Sequence, residues 1–269
     1  MNRINLSEAE PKELTGHTSK GDQPKWQIGE KWYKADHMGG EALSEIVISR
    51  LLEHSNLTGF LSYSPVLIEY RDCEYRGCES DNFRKRDEIL VPIEKLHRAY
   101  KGKGLARKLE EFPEPAEKIR YTVDFIESIT GLQRFGAYLT GILEIDTFFL
   151  NEDRHTNNIA VIRNETSKQY RLCPIFDNGL GLLSDWNDYP LEGDLYASIK
   201  KVKAKPFSSD FEEQMNCAEV LYGSQLKFTF KKADVVQILD NLKEYYDRRI
   251  LSRTQKVLFE QMRRYPIFF

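Results

Sequence analysis

Residues 135–150 are the most apolar stretch of the chain, and the two carboxylates inside it, Glu144 and Asp146, constrain what that stretch can become. A helix that crosses a bilayer needs about 20 apolar residues with few or no charges. This one is shorter and charged, so it reads as a helix enclosed by protein. An enclosed helix needs neighbours on every side. A chain of 269 residues, 41% hydrophobic, 30% charged and 12% aromatic, is large and ordinary enough to build that core.

The pattern differs on the two sides of this helix. Before it, residues 26–28 and 31–34 are aromatic-rich and strand-like, with Gly29-Glu30 suited to a two-residue turn. Leu43, Ile46, Val47 and Leu51 recur at helical spacing over residues 41–54. Residues 66–70 read as a buried strand and residues 89–91 as another. Ile119, Val123, Ile126 and Ile129 then share one helical face, and residues 132–149 continue as the longer helix. Two short strands follow, 158–162 and 170–176, joined by polar residues 164–169. The last third is helical and ends in one amphipathic stretch from residue 233 to about 263. No repeat or low-complexity segment interrupts the chain. The expectation is one α+β domain, with a β-rich lobe over residues 1–92 and a helical lobe over 93–269.

Several function classes drop out. A net charge of −3 and a pI near 6.0 give no global reason for a nucleic-acid partner. Residues 1–14 alternate in charge with no apolar core, so no signal peptide is readable. With no membrane anchor in sight, a cytoplasmic protein is expected. Cys73, Cys78, Cys173 and Cys217 lack the paired short spacings of a zinc site and read as reduced, structural cysteines.

The chemistry concentrates where the apolar helix ends. Asn151-Glu152-Asp153-Arg154-His155-Thr156-Asn157-Asn158 is a polar loop between that helix and a strand. Phosphoryl transfer needs a carboxylate to orient the attacking hydroxyl and oxygen ligands to hold magnesium on the phosphates. The D-x-x-x-x-N spacing of Asp153 and Asn158 places both on one short loop. Further on, Phe176-Asp177-Asn178-Gly179 sets a second carboxylate at a strand end before a glycine turn, and hard magnesium prefers such oxygens.

Asp153-Arg154-His155 with Asn158 resembles the inverted catalytic loop of HipA-like protein kinases and of phosphatidylinositol 3- and 4-kinases. Phe176-Asp177-Asn178-Gly179 is similar to the metal-binding turn of the same group. Thr18-Ser19-Lys20-Gly21-Asp22-Gln23-Pro24-Lys25 resembles the phosphate loop of HipA-like kinases, and tilts the match towards them. A β-rich lobe, a helical lobe and a small hairpin at their junction is also the layout of a kinase. The resemblance runs in order from Thr18 to Gly179. The chain has no counterpart of the extra N-terminal subdomain of full-length HipA toxins, so the compact, freestanding forms are the closer comparison.

The resemblance implies a two-lobed kinase fold and an ATP- and magnesium-dependent serine/threonine kinase with a protein substrate. Asp153 would orient the acceptor hydroxyl, and His155 would contact the transferred phosphate. Asn158 and Asp177 would hold magnesium. Thr18, Ser19 and Gly21 would cover the phosphates, and Thr18 or Ser19 would be autophosphorylated. Lys34 would be the ATP lysine, steadied by Glu45 or by Glu41 one turn earlier. Glu69 and Tyr70, in a hinge, would meet the adenine.

Blander readings stand beside these. A lone D-x-x-x-x-N is common, and loop Asp and Asn often serve turns and caps. His155 could simply bond within its loop. The run Lys200-Lys201-Val202-Lys203-Ala204-Lys205 is by default a solvated face, and could instead read an acidic substrate. A lipid or small-molecule kinase on the same scaffold, and a non-catalytic nucleotide-binding regulator, are the rival functions.

Overall fold

The computed structural model describes residues 1–12 and 23–269, so the expectations at Thr18, Ser19 and Gly21 lie outside the described residues. Among the described residues, a five-stranded sheet occupies the first part of the chain in the order β1-β4-β5-β3-β2. Strands β2 (Lys25–Ile28) and β3 (Lys31–Ala35) form the expected hairpin, with Gly29 in the left-handed region that its turn requires. Strand β1 (Arg3–Asn5) runs parallel to β4 (Ser64–Tyr70) at one edge.

The centre of the sheet is β5 (Cys73–Asp81), which pairs with both β4 and β3. Its sequence is mostly polar, and so it gave no apolar signal. Gly77 sits there because nothing larger fits: a Cβ would lie 2.5 Å from the Lys34 carbonyl oxygen and 2.6 Å from the Ile68 side chain.

Helix α1 (Glu41–Leu52) crosses this sheet. All its residues except Arg50 are buried, because the sheet lies on one side and the C-terminal helices on the other. The strand expected at residues 89–91 forms as β6 (Glu88–Pro92) but joins the second sheet, antiparallel to β7 (Ala160–Asn164), which also pairs with β8 (Tyr170–Leu172).

The remaining helices are α2 (Ile93–Lys101), α3 (Leu105–Leu109), α4 (Pro115–Thr130), α5 (Phe135–Phe149), α6 (Leu195–Lys201), α7 (Phe211–Tyr222), α8 (Lys232–Asp240) and α9 (Arg248–Arg264). Helix α5 is the enclosed one, packed by α4, α7 and α9. Its two acids are both partnered. Glu144 accepts the backbone N–H groups of Gln225 and Leu226 and the Ser224 hydroxyl, and Asp146 holds Arg154. The amphipathic stretch expected to run unbroken from residue 233 divides into α8 and α9. Asp247 starts α9 by accepting the N–H groups of Arg249 and Ile250. No helix among the described residues is long and apolar enough to cross a membrane.

Candidate active site

Two lysines open the site from the sheet side. The two-residue turn sets the register of the β2–β3 hairpin, and that register puts Lys25 directly opposite Lys34 on one face. Like charges so placed repel. Here they converge on one carboxylate: Asp177 Oδ1 is 3.0 Å from Lys34 Nζ and 3.7 Å from Lys25 Nζ. Burial works to raise the Asp177 carboxyl, but the two ammonium groups outweigh it and hold the group well below the usual carboxylate range. Burial also pushes Lys25 below its ordinary value, against the pull of Asp177.

Helix α1 settles which glutamate meets Lys34. Glu45, fully buried, places Oε1 2.5 Å from Lys34 Nζ and takes the Asn178 N–H on Oε2 at 3.0 Å. Glu41 is occupied elsewhere, accepting the N–H groups of His37, Met38 and Gly39 ahead of the helix. Glu45 thus ties the lysine strand to the Asp177 turn.

The polar loop is held from beneath by α5. Leu150 ends that helix in a left-handed conformation, its N–H returning to Asp146. Arg154 has no exposure. It donates to both oxygens of Asp146, to the Phe176 carbonyl at 2.7 Å, to the Asn158 carbonyl and to Asn178 Oδ1 at 2.6 Å. One planar guanidinium therefore joins α5, the loop and the Asp177 turn.

On that loop Asp153 is buried. Its Oδ1 accepts from Lys205 at 3.1 Å, and its Oδ2 lies 3.7 Å from His155 Nε2. Asn158 donates its amide N–H to the Asp153 carbonyl, which leaves the amide oxygen as its ligand atom. Both ring nitrogens of His155 are buried without a hydrogen-bond partner. A buried polar group in that condition points to a ligand.

Lys25, Lys34, His155, Asn158 and Asp177 face a cavity of about 310 Å³. Trp32, Leu61, Phe83, Leu90, Pro92 and Phe176 give it apolar walls. Among the described residues, Lys25, Lys34, Arg84 and Lys95 supply four cations to the lining against the one carboxylate of Asp177, and His155 and Asn158 add to the polar side. The donor set fits a flat apolar body carrying a polyanion, with oxygen ligands beside it for a hard cation. Glu152, Asp185 and Asp188 form a separate acidic group outside this lining.

The structure brings Lys34, Glu45, Asp153, His155, Asn158 and Asp177 together, and it does not bring Glu69 and Tyr70 there. Strand β4 enters the cavity wall near Tyr63, and Tyr70 lies about 20 Å further along it. Glu69 meets Arg3, and the Tyr70 ring packs on Trp26. The end of β5 and the segment after it line that part of the cavity instead, with Ser80 from the strand and Phe83 and Arg84 beyond it. The polar sequence of β5 carries no apolar signal that would point to this stretch.

Sequence reasoning assigned no role to Arg154, Tyr63 or Arg84, and gave Lys205 none apart from its basic run. Lys25 entered only as the last residue of the phosphate-loop resemblance, although a turn at residues 29–30 already pairs it with Lys34.

Over nearly its whole length the chain is similar in structure to a Helicobacter pylori protein described as the proinflammatory kinase CtkA. The TM-score is 0.65 at 16% identity, over 97% of this chain and 94% of that one. No family model matches the chain, and no curated protein matches it. The likeness makes the architecture a kinase-like α+β fold, as the sequence led one to expect.

Proposed function

We propose that the chain is an ATP- and magnesium-dependent phosphotransferase, specifically a HipA-like protein kinase acting on serine or threonine hydroxyls. One observation carries the reading: Lys25 and Lys34 stand opposed on a hairpin and share Asp177, within a cavity that also holds Asn158. Opposed lysines in a sheet are unfavourable alone and favourable around a polyanion. Lys34 and Lys25 would hold the phosphates, and the apolar walls would receive the base.

Asn158 and Asp177 offer the amide and carboxylate oxygens that magnesium prefers, and the metal would neutralise charge on the phosphates. Asp153 would orient the acceptor hydroxyl and take its proton. His155, with both ring nitrogens unpartnered, would donate to the group being transferred. The kinase likeness supports phosphotransfer as the reaction class.

The test is labelled phosphate transfer from magnesium–ATP to a panel of protein, phosphatidylinositol and small-alcohol acceptors, beside calorimetric ATP binding. Asp153→Asn should cut turnover by about 10²–10⁴, the range of a lost general base, with ATP affinity within a few-fold of wild type. A variant that turns over at the wild-type rate would remove Asp153 from the chemistry. Transfer confined to a lipid or small alcohol would replace the protein-kinase assignment.

A further inference from the structure

The contact that phosphotransfer alone does not explain is that between Asp153 and Lys205, 52 residues apart in the chain. Lys205 closes the basic run seen in the sequence, and the run's backbone is built to aim it. Gln214 of α7 is fully buried. It donates to the Lys205 carbonyl and accepts the N–H groups of Phe207 and Ser208. Lys118 of α4 donates to the Phe207 carbonyl. Val202, Ala204 and Phe207 are buried, so the turn is pinned to the helices and the Lys205 side chain reaches back to the loop.

Both partners refer to one scaffold. Asp153 is held through Arg154 and Asp146 of α5, and Lys205 through Gln214 of α7. Thr147 and Thr140 of α5 donate across to the carbonyls of Phe211 and Ala218 in α7. Stability does not call for this arrangement. The Lys205 side chain is 37% exposed, and pairs of that kind contribute little, about 0–1 kcal/mol. What the arrangement does fix is the direction of the Asp153 carboxylate.

We propose that Lys205 is a positioning residue of the active centre. Its ammonium fixes Asp153 Oδ1, which leaves Oδ2, on the side of His155, to meet the acceptor hydroxyl. The inference rests on the phosphotransfer reading. In the step it serves, the γ-phosphorus bond to the bridging oxygen breaks and ADP leaves. A bond to the acceptor oxygen forms, and the hydroxyl proton passes to Asp153 and then to solvent. Without Lys205 the carboxylate loses its aim, and misplacement of a reacting group by about 1 Å can cost 10²-fold.

Five proteins decide it: wild type, Lys205→Met, Lys205→Arg, Asp153→Asn and the double variant Lys205→Met with Asp153→Asn. Each is assayed for steady-state transfer from magnesium–ATP to its own chain or to water, and for melting temperature. Lys205→Met should lower kcat roughly 10- to 100-fold with the KM for ATP within about twofold, while Lys205→Arg recovers most of the loss. The double variant should be no slower than Asp153→Asn alone, because a residue acting through Asp153 has nothing left to aim.

Wild-type kcat in Lys205→Met overturns the proposal, and so does a further loss in the double variant. If Lys205→Met melts early, Lys205→Arg still decides, since a folded arginine variant with no recovered turnover also overturns it. Full turnover in Asp153→Asn would instead sink the phosphotransfer reading itself, so the two failures are told apart.

Discussion

Asp177 is the residue on which the site's charges balance. It sits in the left-handed region, tolerable for Asp, between two ammonium groups that would otherwise oppose each other across the hairpin. Asp177→Asn removes the negative charge and, on the proposed function, a hard metal ligand together. ATP alone should bind the variant and wild type within a few-fold, because the phosphates themselves neutralise Lys25 and Lys34. The gain in affinity that magnesium brings should be lost, and turnover with it. Calorimetric titration with and without magnesium checks this, and an unchanged magnesium dependence would move the metal away from Asp177. Arg154 shows the other kind of site residue. It is not itself part of the cavity lining, yet from full burial it holds the lining residues Asn158 and Phe176 by their carbonyls and joins α5, the loop and the Asp177 turn. Nothing in the sequence separates such an arginine from an exposed one, since its role exists only once three distant segments meet.

At the scale of elements, the position of Lys34 depends on β5. The Lys34 carbonyl lies so close to Gly77 that an added Cβ would stand 2.5 Å from it, and a backbone oxygen cannot swing aside as a side chain can. Gly77→Ala should therefore cost about 1–3 kcal/mol of stability through overpacking. It should also weaken ATP binding several-fold by displacing β3, though it touches no ligand group. Denaturant unfolding and calorimetry read the two effects, and an alanine variant with wild-type affinity would show that β3 tolerates the shift. The same strand explains what was legible. The hairpin, α1, β4 and α5 announce themselves through aromatic turns and apolar periodicity. Strand β5 is held by its two neighbours and by a glycine, neither visible as hydrophobicity, so the expectation fell on Glu69 and Tyr70 while the cavity is lined by Ser80, Phe83 and Arg84. The break between α8 and α9 was readable at Asp247, whose capping role outweighs the amphipathic pattern running through it. The loop of Asp153 and Asn158 and the turn at Asp177 were legible as candidates because spacing carries them, whereas Lys205 depends on a fold-level contact.

Across the whole molecule, Asp36 is the junction. It follows β3, which carries Lys34, and its Oδ1 accepts the Ala42 N–H at the start of α1, which carries Glu45. Its Oδ2 accepts the hydroxyl of Tyr246, from the segment between α8 and α9 at the far end of the chain. Burial pushes this carboxyl up to about 8, with Glu41 adding to the rise and the Ala42 N–H, the Tyr246 hydroxyl and Arg76 opposing it. Unfolded, the same group titrates near 3.8. Between those values the folded chain binds a proton that the unfolded chain has released, so unfolding sheds a proton and stability falls as pH rises. The contribution of protonated Asp36 is complete below about pH 4 and gone above about pH 8. Glu144, pushed up to about 7 chiefly by its burial in α5, acts in the same direction over a narrower span. Asp36→Asn is uncharged in both states and keeps an acceptor for Ala42, so it removes the wider of the two pH spans, whose slope is on the order of 1 kcal/mol per pH unit. The melting temperature of wild type should drop more between pH 5 and pH 8.5 than that of Asp36→Asn, and the variant should overtake wild type at the alkaline end. Parallel melting curves over that range would mean that Asp36 ionises in the folded protein as it does in the unfolded chain, and that the junction of β3, α1 and Tyr246 carries a charge throughout.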